Sequence, residues 1–154
     1  MERFIAQVYE WFGLLPFYGS DAAGFLAGGV ASNGEAYPHW YLITFVCLLF
    51  SVGIIFLLQY KLLDSPRRVT KLHWWMYGAI LMSVNFLCAL LPTVSAFHAD
   101  NYDTEIYTML TVPDLVAFAL SNALWSIILY AVLTSIPVVR TISVNGRNTT
   151  FWKP

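Results

Sequence analysis

Three stretches of the chain, residues 40–60, 72–91 and 115–139, contain no acid, lysine or arginine. Crossing ~30 Å of hydrocarbon takes about 20 apolar residues in a helix, and each stretch has that length. Together they take up 66 of the 154 residues. Charged residues make up only 11%, against roughly 25% in an average soluble domain. With 58% hydrophobic residues, the apolar side chains outnumber the positions a small globule can hide. The surplus is expected to face lipid. The predicted fold class is therefore an all-α integral membrane protein with three transmembrane helices, preceded by an amphipathic segment.

Each stretch has a definite edge. The first runs to Lys61, the second to Pro92, and the third to Pro137 and Arg140. Orientation follows from the basic residues, because loops that stay in the cytoplasm retain lysine and arginine. Lys61, Arg67, Arg68 and Lys71 crowd the first connection and Arg140, Arg147 and Lys153 follow the third stretch, so seven of the eight basic residues share one side. Eight of the nine acids fall on the other, with Asp64 the exception. The amino terminus is thus expected outside and the carboxy terminus in the cytoplasm, or in the matrix of an organelle. A bacterial inner membrane is favoured, with an organellar inner membrane as the alternative. Tyr37, Trp40 and Tyr41 would form the outer aromatic belt, and Tyr60, Trp74, Trp75 and Tyr77 the inner one. The basic connection would also attract anionic headgroups, although topology alone explains it.

Three regions follow: residues 1–38 outside, a three-span region over 39–140, and a cytoplasmic tail over 141–154. In the first, Phe4, Ile5, Val8, Phe12 and Leu15 recur at helical spacing opposite Glu2, Arg3, Gln7 and Glu10. That pattern describes a short helix lying on the membrane surface. Ser20 or Asp21 would cap a second short helix ahead of the Asn33-Gly34 turn. A re-entrant hairpin and a fourth span are the alternatives for this region. The opening residues carry no cleavage signature, so the first segment is expected to be retained. Gly24 and Gly28 form a pair of small residues suited to close packing against a span. In the tail, Asn145-Gly146 is a hairpin turn signal; the expected form is a flexible tail with that turn, and the alternative is docking on a partner's sheet edge with Phe151 and Trp152 as anchors.

Chemistry inside a membrane usually announces itself by ionisable residues, and none lies near the centre of a span. Asn85 and Asn122 are present instead. Both are expected roughly 5–8 Å outside the midplane from the 1.5 Å helical rise, a shared depth that allows a hydrogen bond between helices. The other role for such residues is to line a polar path. Asp114, Phe118, Asn122, Ser126 and Leu129 would share one face of the third span, with Asp114 at its mouth. In a symmetric oligomer that acid becomes a ring favouring cations. As a single chain, Pro113-Asp114 simply opens a helix and complements its dipole.

His39 and His98 both fall at the outer edge, where a metal or haem between spans has to be weighed. They lack the spacing that such a site needs, so neither cofactor nor metal is expected. His73, beside Lys71, fits the interface. Cys47 and Cys88 sit in apolar runs and are taken as small core residues. No nucleophile elbow, phosphate-binding glycine loop, HExxH or dinucleotide fingerprint occurs. A net charge of −1 with no basic stripe excludes nucleic acid as a partner.

The function expected is a non-enzymatic membrane subunit that anchors or assembles a larger complex, of the secretion-machine or respiratory type. A homo-oligomeric channel whose third span lines the path is the alternative. The partners are then the lipid bilayer and either other membrane subunits or copies of the chain itself.

Overall fold

An apolar run with no partner strand can satisfy its backbone groups only within itself, which makes a helix the default. The computed structural model describes residues 2–11, 20–29, 38–62, 71–98 and 111–136. Within them the secondary structure is entirely helical: α1 (Glu2–Tyr9), α2 (Ser20–Leu26), α3 (Trp40–Leu57), α4 (Lys71–His98) and α5 (Val112–Ser135). A five-residue π-helical turn, Leu58–Leu62, continues α3. α3 with that turn, α4 and α5 are each long and apolar enough to cross a bilayer.

Two edges differ from the sequence expectation. The second stretch does not stop at Pro92, because α4 carries that proline inside it and continues to His98. Pro92 has no N–H for the Cys88 carbonyl, yet the helix continues through it. Thr93 Oγ1 donates to the carbonyls of Ala89 at 2.7 Å and Leu90 at 3.1 Å, adding side-chain bonds beside the break. The third helix stops at Ser135, short of Val139. Pro137 follows closely, and a proline pushes the residue before it out of helical geometry.

The start of α5 is a variant of the capping box. Thr111 precedes the helix, and the Asp114 carboxylate accepts from its N–H at 2.9 Å and its hydroxyl at 2.6 Å. α2 ends in a complete Schellman motif. Gly28 N–H donates to Phe25 O and Gly29 N–H to Gly24 O, with Gly28 in the left-handed region at φ 83°. Gly24 and Gly28 thus terminate the helix. The contact at Gly28 is with His39, whose ring a Cβ there would meet at 2.6 Å.

The chain divides into two compact units: Met1–Cys47 with Asn85–Asn122, and Leu48–Val84 with Ala123–Pro154. In the first, Ile5, Tyr9, Phe25, Leu26, Tyr41, Ala89, Leu115 and Phe118 are buried. The rings of Tyr9, Tyr41 and Phe118 form a triangle with centroids 5.1–5.6 Å apart. Burial on α1 falls on Ile5 and Tyr9, one turn apart, while Phe4 is 59% exposed. The apolar stripe read from the sequence, with Phe4 in it, is therefore rotated. Tyrosine competes for the inner face because it brings both a ring and a hydroxyl. Phe12 and Leu15 lie outside the described residues.

In the second unit the core is Leu48, Val52, Trp74, Leu81 and Tyr130. Trp74 stacks on Tyr130 at 5.2 Å, and its indole N–H donates to Thr134 Oγ1 at 3.2 Å. Gly78 lets α4 approach Ile127, whose Cδ1 lies 2.7 Å from where a Cβ would stand.

Two further expectations need correction. Cys47 and Cys88 are exposed, not core residues. A small apolar thiol gains nothing from the interior when the exposed helix face is apolar too. Trp40, Tyr41, Tyr60 and Trp74 are buried, leaving Trp75 as the exposed aromatic among the described belt residues. For Tyr41 and Trp74, the rings and polar atoms they reach inside explain the inward choice.

Candidate functional site: a polar chain that docks the amino-terminal helix

Most buried hydroxyls on the long helices bond to their own helix. Thr44, Thr93, Ser126 and Thr134 each donate to a carbonyl three or four residues back. Ser121 and Asn122 instead reach across the first unit. Tyr9 OH donates to Asn122 Oδ1 at 2.7 Å, and Asn122 Nδ2 donates to the backbone carbonyl of Asn85 at 2.9 Å. Ser121 Oγ donates to the Tyr9 carbonyl at 3.0 Å and accepts from the Trp11 indole N–H at 3.0 Å. Three separate bonds thus hold the end of α1 to one step of α5, more than a hundred residues away in sequence.

Each bond has a local cause. The Tyr9 carbonyl is among the last four of α1 and accepts from the Ser121 hydroxyl. Trp11 stands just past the helix end at φ 52°, a left-handed position that costs a residue with a Cβ roughly 1–2 kcal/mol. Glycine would fit there without strain. Tryptophan offsets the strain by carrying its indole N–H to Ser121. Further out, Tyr41 OH makes a long contact of 3.4 Å with Glu10 Oε1.

Asn85 and Asn122 are therefore joined through the Asn85 backbone, with the Asn122 amide as the junction. Asn122 is fully buried and so is Ser126. Asp114 caps α5 and Phe118 packs on Tyr9. Lys61 is exposed at the end of the π-helical turn and Lys71 opens α4. Arg67, Arg68, Phe151, Trp152 and the Asn145-Gly146 turn lie outside the described residues. His39 Nδ1 donates to the Ala27 carbonyl at 2.7 Å, and the His98 ring meets Phe97. Among the described residues, no three His, Cys, Asp or Glu side chains gather as a metal site would require.

Sequence reasoning missed Tyr9, Trp11 and Ser121. The adjacent polar pair Ser121-Asn122 inside an apolar run was the available signal, but its partners lay in another segment. It also missed Gln59 in the second unit, a buried amide in the π-helical turn that accepts a bond from Tyr130 OH. No family model matches the sequence, and neither a curated protein nor a solved structure matches it.

Proposed function

We propose that this chain is a small non-enzymatic integral membrane subunit, inserted with its amino terminus outside and carboxy terminus inside, that anchors or assembles a larger membrane complex. One observation carries it. The exposed faces of the three long helices are apolar and extensive. α5 exposes Leu120, Leu124, Ile128 and Val132, and α3 exposes Leu42, Ile43, Val46, Leu49, Phe50, Ile54 and Leu57. Only 22% of the most apolar window of α3, and of α4, is buried, against 44% for α5. Such faces suit lipid or the helices of a partner.

A channel lined by α5 is the weaker reading. Phe118, Asn122 and Ser126, which would face its path, are covered by the chain itself. The test is extraction in a mild detergent followed by native mass spectrometry. Stoichiometric unrelated partners are expected. A single species at an integral multiple of 17.4 kDa would overturn the subunit reading and favour the channel.

A further inference from the structure

The first unit contains a partly open cavity of about 170 Å³, lined by Ile5, Ala6, Leu26, Ala27, His39, Tyr41 and Leu42. α1 supplies one wall, the end of α2 another, and the first turn of α3 the third. Its shape depends on Gly28. The left-handed Gly28 ends α2, and the lack of a Cβ lets the His39 ring lie against that end. His39 then spends Nδ1 on the Ala27 carbonyl, while Tyr41 turns its hydroxyl toward Glu10. His39 and Tyr41 thus each have a hydrogen-bond use within the chain, and the other lining side chains are hydrocarbon.

We propose that this cavity holds part of a lipid acyl chain. Size comes first: an apolar cavity of about 150 Å³ accepts a group such as benzene, so this one has room for a few methylene groups. Position selects the source. The cavity lies at the first turn of α3, where Leu42 belongs both to its lining and to the exposed apolar face that continues through Ile43 and Val46. In a bilayer that face is bathed in acyl chains, the hydrocarbon present at the highest local concentration. Occupancy would fill space beside Ile5 and favour the docked position of α1.

The inference rests on membrane insertion but not on the subunit reading, and one experiment separates the failures. The full chain is reconstituted in phosphatidylcholine vesicles containing a phosphatidylcholine with a photoactivatable diazirine on its acyl chain, and adducts are mapped by peptide mass spectrometry. Leu49 and Phe50, on the exposed face, report insertion alone. Ile5, which lines the cavity and is otherwise buried, reports occupancy. Adducts are expected at all three in the native chain. In Ala6→Phe, which fills the cavity from α1, and in Leu42→Trp, which fills it from α3, those at Ile5 should be lost while those at Leu49 and Phe50 persist. Labelling of Leu49 and Phe50 without Ile5 in the native chain overturns the inference, as does labelling of Ile5 unchanged by both substitutions. Failure to label any of the three overturns the membrane reading beneath it.

Discussion

The two compact units are built from stretches of the same three long helices, yet they are held by different means. In the first, a segment from outside those helices is tied in by a chain of hydrogen bonds running from Trp11 through Ser121 and Tyr9 to Asn122 and Asn85. In the second, aliphatic and aromatic side chains pack around Trp74 and Tyr130, with the polar links Tyr130–Gln59 and Trp74–Thr134 made between the long helices themselves. The difference has a physical reason. In the bilayer proposed for this chain, an apolar helix gains no hydrophobic advantage from meeting another, so close packing and hydrogen bonds must select partners. Long helices have extended surfaces to pack; an eight-residue helix has one turn of inward face, and directed bonds set where it sits.

The contrast is most exposed at Asn122. Asn122→Leu removes the links to both Tyr9 and Asn85 and strands a buried phenol, a loss expected at about 1–3 kcal/mol. Hydrogen exchange of the α1 amides should rise sharply; unchanged exchange would mean that apolar contact alone holds α1. Next in size is Gly28→Ala, where a left-handed backbone and the close His39 ring predict a loss of about 1–2 kcal/mol, read as a lower thermal midpoint in detergent. A midpoint equal to that of the native chain would remove the basis for the wall at His39.

Tyr130→Phe probes the other side of the comparison. Leaving the Gln59 carbonyl oxygen without its phenol donor is expected to cost about 1 kcal/mol, lowering the thermal midpoint while α1 exchange stays at its native level. Coupled changes in both would break the distinction between the two units. Tyr9→Phe keeps the ring triangle and removes one hydroxyl, so its cost should be near the ~0.6 kcal/mol average for a polar contact between helices in a membrane. The smallest effect belongs to Asp114→Ala, which deletes a cap at the solvent edge of α5 and should cost about 0.5 kcal/mol, seen as faster exchange at the start of α5 only.

Helix identity was legible because it depends on runs: a charge-free stretch of the right length has one stable conformation in an apolar medium. The opening of α5 at Pro113-Asp114 was equally readable, since it needs only neighbouring residues, whereas the bond from Asp114 back to Thr111 was not foreseen. Pro92 misled for the same reason. Locally it marks an end, yet α4 continues through it, with the nearby Thr93 hydroxyl bonding the carbonyls of Ala89 and Leu90. The candidate site was half legible. Asn122 and Asn85 stood out as polar residues in apolar runs, whereas Tyr9 looked like any aromatic in an amphipathic segment.

What the sequence determined by itself, then, is composition acting along the chain: five helices among the described residues, three of them long enough to cross a bilayer, and charge placed at their ends. Tertiary structure decided which face of each helix turns inward. With apolar residues on every side of α3, α4 and α5, hydrophobicity does not distinguish the faces, so Cys47 is exposed and Thr44 buried on the same helix. The choice falls to shape and to hydrogen bonds between segments distant in sequence. Such pairings exist only once the chain has folded.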